Sequence, residues 1–173
     1  MGTRGLLGFI IAAQRYGSYN HWDSYPSGLG ADIVKFILGL GPENCDEMAK
    51  LVAEITWVNE AEKPTVEIQD KYSKAGFSNV GIGEQSLSDW YCLLAKTQGA
   101  AALPAIQSGE LKHMIDSRDF LANGLFCEWA YFIDFENRKL ETWARTERLD
   151  EMTFDELVKD GVEGFLARLE SDE

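Results

Sequence analysis

Residues 128–135 read Glu-Trp-Ala-Tyr-Phe-Ile-Asp-Phe. In an extended chain Trp129, Tyr131, Ile133 and Phe135 fall on one face, while Ala130 and Phe132 share the other with Glu128 and Asp134. A strand that is apolar on both faces leaves apolar surface wet at a sheet rim, so this pattern predicts a place in the interior of a sheet. Glu136, Asn137 and Arg138 then make a polar break before residues 140–145, which predicts a hairpin. A second hairpin is written at the start of the chain. Residues 3–11 are apolar and β-branched, residues 15–21 alternate, and the turn is expected near residues 12–14. Antiparallel pairing about that turn makes partner numbers sum to about 26, which sets Arg4 and Gly5 beside residues 21–23.

The segments between and after the hairpins carry helical spacing. Ile33, Val34, Phe36, Ile37, Leu38 and Leu40 predict a short buried helix over residues 31–40. Asn44 with Glu47 reads as a capping box that opens a helix over residues 44–58, with Met48, Leu51, Val52, Ile55 and Val58 as its buried stripe. Residues 64–75, with Pro64 at the start and Gly76 past the end, predict a more exposed helix. After a loop over residues 76–83, Ser86 or Ser88 is expected to cap a helix that carries Trp90, Leu93 and Leu94 and stops at Gly99. Shorter helices are expected around residues 103–107 and 117–122. Thr153 with Glu156 forms another capping box, and Phe154, Leu157, Val158, Phe165, Leu166 and Leu169 make the inner stripe of a final helix. The expected architecture is a single α+β domain over residues 1–173. Its antiparallel sheet is built from two β-hairpins and covered on one or both faces by four or more helices, near residues 31–40, 44–58, 87–98 and 153–169.

Composition narrows the function classes. With 45% hydrophobic residues the chain is in the globular range, and no apolar run approaches the roughly 20 residues of a membrane helix. The apolar run over residues 6–13 is read as a strand, because cleavage after Ala13 as a secretory signal would remove it. Leu6 stands where a myristoylation motif wants Ser or Thr. Cys45, Cys92 and Cys127 are odd in number and far apart, which indicates neither a disulfide framework nor a zinc site and fits a reducing, cytoplasmic setting. A formal charge of −13 argues against nucleic acid as a partner, since neutralising phosphates takes clustered Lys and Arg. Ten Asp or Glu against three Lys or Arg over residues 146–173, a net of −7, make the last helix acidic on its exposed face. That face either keeps a small protein dispersed or meets a basic partner.

Chemistry concentrates in residues 19–30, Tyr-Asn-His-Trp-Asp-Ser-Tyr-Pro-Ser-Gly-Leu-Gly, at a corner between strand and helix. His21 and Asp23, at i and i+2, share a face if the strand persists. A carboxylate there would orient the imidazole as a general base for Ser24 or a substrate hydroxyl. Asn, Asp and Ser also lock corners by bonding their own backbone, which is the structural alternative for Asn20, Asp23 and Ser24. Arg4 either pairs with Asp23 or Asp134 or holds an anionic ligand, with Gly5 and Gly8 leaving room beside the strand. Tyr19 and Tyr25 would shape such a pocket. Trp90-Tyr91 and Gln98-Gly99 could line one, although a Trp spaced with Leu93 and Leu94 also suits a core. Glu128 and Asp134 lie roughly 20 Å apart along one strand and cannot act as one pair. An N-terminal nucleophile is not offered by Gly2, and Thr3 would serve only after loss of both Met1 and Gly2.

Met1-Gly2-Thr3-Arg4-Gly5, the whole of residues 19–30, Asp89-Trp90-Tyr91 with Gln98-Gly99, and Glu128-Trp129-Ala130-Tyr131 before Ile133-Asp134 resemble a family of uncharacterised proteins of bacteria, phages and fungi. The resemblance runs over most of the chain and implies no particular activity. Family members often carry Ser or Cys at position 2, where this chain has Gly2. The functional expectation rests on the residues themselves. It is a small soluble enzyme acting on a small molecule with an anionic group, using His21, Asp23 and Ser24 as catalytic residues and Arg4, Tyr19, Asn20 and Tyr25 for binding. No cofactor or metal is indicated. The alternative is a non-catalytic interaction protein that presents its acidic C-terminal helix face.

Overall fold

A computed structural model describes residues 3–81 and 86–170. Strands β1 (Gly5–Ile11) and β2 (Gln14–Asn20) pair antiparallel through Ala12 and Ala13, both at positive φ. Gly5 faces Asn20, so partner numbers sum to 25, one less than the spacing predicts, and the ladder ends there, one residue short of His21. Helix α1 (Ala31–Leu38) and helix α2 (Pro42–Ala53) follow, then the short strand β3 (Thr56–Val58) and helix α3 (Val66–Lys74). Next come the one-turn helix α4 (Trp90–Leu93), helix α5 (Ala102–Gln107) and strand β4 (His113–Ile115). Strands β5 (Trp129–Asp134), β6 (Lys139–Ala144) and β7 (Glu147–Thr153) form a meander that ends in helix α6 (Phe154–Glu170).

The fold is α+β, with a five-stranded, mostly antiparallel sheet in the order β2-β1-β5-β6-β7. β5 occupies its centre and pairs with β1 in parallel, Gly5 opposite Trp129 and Phe9 opposite Ile133. Two hairpins therefore do not account for the sheet. β7 was not expected because Glu-Arg-Leu-Asp-Glu-Met-Thr is polar enough for a loop, and as an edge strand it buries only Met152 fully.

On one face Leu7, Phe9, Tyr131, Ile133 and Leu140 meet the helices in the main core. On the other, Leu6, Cys127, Ala130 and Phe132 form a thinner layer beneath Phe120, Leu121 and Trp143. The room expected beside Gly5 and Gly8 is taken by the neighbouring strands and their side chains. A Cβ on Gly8 would collide with the Tyr16 carbonyl oxygen and lie 2.6 Å from the Phe132 ring, and one on Gly5 would collide with the Trp129 carbonyl oxygen and lie 2.9 Å from Ser24 Cβ.

Three helix expectations need correction. α2 starts at Pro42 with Gly41 as its cap, without an Asn44 box, and it stops at Ala53. Ile55 and Val58 are buried, but in and beside a strand, since their i, i+3 spacing suits either form and β-branched Ile55, Thr56 and Val58 favour the extended one. Residues 87–98 are not one helix. Asp89, rather than Ser86 or Ser88, caps the single turn of α4 by accepting from the Tyr91 N–H, and 3₁₀ turns follow. In α6, Gly161 (φ 69°, ψ −172°) breaks the helix, and Val158 is exposed instead of joining the inner stripe. Met1, Gly2 and the end of the loop at Gly83 lie outside the described residues. Among the described residues no helix is long and apolar enough to cross a membrane.

Candidate functional site

The corner after β2 is held by its own polar groups. The Asn20 side-chain amide donates to Trp22 O at 2.7 Å and to Ser24 Oγ at 2.9 Å. Ser24 Oγ donates to Asn20 O, the Ser24 N–H donates to Thr3 O, and Tyr131 Oη donates to Ser24 O at 2.7 Å. Asp23 takes positive φ and its carbonyl accepts from Leu29 N–H, which leads the chain into a single π-helical turn and then α1. Asn20 and Ser24 are buried and bonded within the corner. Ser24 has no histidine beside its hydroxyl, so the geometry gives it no activating base.

This corner aims His21 toward a cavity of about 410 Å³ along the outer edge of β2. Strand β4, paired in parallel with β3, forms the opposite wall, and the Ser117 N–H just after it docks it to β2 by donating to Gly17 O at 2.7 Å. Leu7, Leu94, Met114 and Ile115 give the cavity apolar walls. Tyr91 comes from α4, Thr97, Gln98 and Gly99 come from the broken segment after it, and exposed Glu60 lies at the rim. Gly99 sits at φ +72°, where a Cβ would come within 2.7 Å of Asn20 Oδ1, so the close approach of the 95–99 segment to the corner requires glycine.

Both histidines of the chain, 92 positions apart, line this cavity. Each has its Nδ1 within 2.6 Å of a tyrosine hydroxyl, His21 with Tyr19 and His113 with Tyr72. The His21 backbone N–H donates to Gln98 Oε1 at 2.7 Å, which ties the base of the corner to the cavity wall. His113 stacks on buried Trp90 at 5.5 Å, with the Tyr72 ring edge-on at 5.6 Å. Burial, and then the nearby Lys71 ammonium, push the His113 pKa below its ordinary value. Burial raises that of Tyr19.

The predicted site residues separate into two groups. Tyr19 and His21 meet in the cavity, and Tyr91 and Gln98 line it as the sequence allowed. Asp23 does not orient His21. Strand β2 ends at Asn20, the shared face is lost, and the Asp23 carboxylate lies against the half-exposed Tyr25 hydroxyl, raising the phenol's pKa. Asp23 instead borders a neighbouring, more open cavity with Asp32 and Lys96, which shares Tyr91, Gln98 and Gly99 with the first.

Arg4 is exposed, with its guanidinium over the Phe126 ring at 5.3 Å, and among the described residues it makes no ion pair. Asp134 sits at the far end of β5, accepting from the backbone and side chain of Asn137. His113 and Tyr72 were missed. Nothing in Leu-Lys-His-Met-Ile or in α3 marks them, and the only available signal was that the chain spends just two histidines. The three cysteines are buried, and burial with Glu128 pushes Cys127 to about 11. Among the described residues no cluster of His, Cys, Asp and Glu could hold a metal ion.

Comparison of the chain with protein-family models, with curated proteins and with solved structures finds no match in any of the three.

Proposed function

We propose that this protein is an acid-base enzyme acting on a small, uncharged molecule bound between His21 and His113. The observation that carries the reading is the convergence of the chain's two histidines on one mostly apolar cavity, each steadied at Nδ1 by a tyrosine hydroxyl. Imidazole is the side chain whose charge changes nearest physiological pH, and holding one ring nitrogen leaves the other to work on a ligand. Desolvation supports a neutral His113 under such conditions. No Lys or Arg lines the cavity among the described residues, so an uncharged ligand fits better than the anionic one that Arg4 suggested.

Ser18, on the face of β2 that borders the cavity, offers a blocking position outside the proposed chemistry. Turnover of pooled uncharged metabolites by the parent should be abolished in Ser18→Phe and reduced at least about a hundredfold in His21→Ala, the usual scale for loss of a general acid or base. Turnover that survives the blocked cavity would exclude this site, and turnover indifferent to His21→Ala would remove that residue from the mechanism.

A further inference from the structure

The hydrogen bonds around Tyr72 favour one placement of the proton on the His113 ring. Tyr72 is fully buried, and its hydroxyl oxygen accepts from the Lys112 backbone N–H at 3.0 Å. A backbone N–H can only donate, so this contact occupies one lone pair of the phenol oxygen. The phenol's single proton then needs an acceptor within the protein, because the Tyr72 side chain is fully buried. His113 Nδ1, at 2.6 Å, is the one placed to take it among the described residues. With Nδ1 accepting, the neutral ring carries its proton on Nε2. Trp90 and Tyr72 hold the ring on its face and edge, and no described residue bonds its Nε2.

Gln98 repeats the logic at the other wall. Its Oε1 accepts from the His21 backbone N–H, another obligate donor, which fixes the amide orientation and turns the NH₂ group away from His21 N. His113 and Gln98 both line the cavity, and among the described residues no Lys or Arg does.

We propose that His113 acts as a fixed hydrogen-bond donor to the carbonyl oxygen of an uncharged ligand, with Tyr72 as the positioning residue that sets its tautomer and Gln98 as a second donor. This rests on the cavity being the ligand site. It makes His113 the group that polarises a carbonyl and leaves proton acceptance to His21. It also narrows the substrate class to neutral carbonyl compounds such as amides, lactams and ketones, because a fixed pair of donors discriminates against ligands that bring only donors of their own.

The test uses full-length protein labelled with ¹⁵N-histidine and ¹³C-methyl methionine, with δ-valerolactam as the carbonyl probe and cyclohexane as its uncharged, carbonyl-free counterpart. In the free protein at neutral pH, His113 is expected to show an unprotonated Nδ1 and a protonated Nε2; the reverse pattern overturns the proposal and leaves the cavity's role as a ligand site standing. Valerolactam should shift the His113 Nε2–H signal and cyclohexane should not. Lactam binding that moves the Met114 methyl but not His113, or a His113 response to cyclohexane alone, overturns the donor role. Absence of binding by any neutral probe overturns both this proposal and the function on which it rests.

Tyr72→Phe should release His113 into a mixture of tautomers and weaken lactam binding by about tenfold, the scale of one well-placed hydrogen bond. An unchanged tautomer in that variant would remove Tyr72 from the argument. If the variant does not fold, His113→Gln, which keeps a neutral N–H donor, is expected to retain lactam binding and His113→Phe to lose it. Equal binding by those two variants would overturn the proposal.

Discussion

Glu141 is nearly fully buried on the thin face of the sheet, and its carboxylate receives Arg15 Nε and Nη2 at 2.7 and 2.8 Å, Trp143 Nε1 at 3.0 Å and Arg148 Nη1 at 3.2 Å. Burial alone would raise its pKa. The hydrogen bonds from Arg15, Trp143 and Arg148 outweigh that and hold it below its ordinary value. The two arginines keep 39% and 49% of their side-chain surface, so losing the carboxylate leaves charges that water can still reach. Glu141→Gln is therefore expected to cost about 2 kcal/mol in urea unfolding, below the 3–5 kcal/mol typical of a fully sequestered pair. Because the folded pKa is depressed, this stabilisation is complete above the ordinary value of 4.5 and is lost as pH falls through the folded value. The parent should lose stability more steeply than Glu141→Gln below about pH 4.5, and matching acid slopes would show that the network contributes nothing to it. This site was not singled out from sequence. Glu141 alternates with Leu140 and Thr142 like any polar strand residue, and its two arginine partners come from β2 and β7, which only the sheet order brings together.

At the scale of elements, α6 shows how one glycine reorganises an amphipathic stripe. Thr153 and Glu156 form the expected capping box, with the Glu156 N–H donating to Thr153 Oγ1 and the Thr153 N–H donating to Glu156 Oε1. Phe154 and Leu157 then enter the core. The break at Gly161 resets the phase, so Val158 faces outward while Phe165 and Leu169 are buried. Arg168 returns to Asp150 and Glu156 at 2.7 Å each, which partly neutralises the acidic face proposed for a basic partner. In a continuous helix, Gly→Ala would stabilise by roughly 0.5–1 kcal/mol. At φ 69° the added Cβ is strained even though nothing lies within 4 Å of it, and Gly161→Ala is expected to destabilise by about 1 kcal/mol. A rise in melting temperature in that variant would show that α6 is unbroken in solution.

Across the whole molecule the formal charge of −13 acts as self-repulsion that the local pairs around Glu141 and Arg168 relieve only in places. Raising salt from about 0.01 to about 0.1 M shortens the screening length from about 30 to about 10 Å, so the melting temperature should rise over that range. A fall would mean that surface ion pairs outweigh the net repulsion. Alternation and turn residues by themselves determined β1, β2, β5 and β6, the hairpin register within one residue, and the central place of β5, because a strand apolar on both faces has few other places to go. Capping chemistry likewise determined the start of α6. Local spacing could not decide between helix and strand at residues 55–58, where a short apolar run fits both and its partner, β4, lies more than fifty residues away. The same separation hid half of the candidate site. His21 stood out by its neighbours in sequence, whereas His113 becomes a cavity residue only because β3 and β4 dock on the free edge of β2, a long-range contact that tertiary packing alone decides.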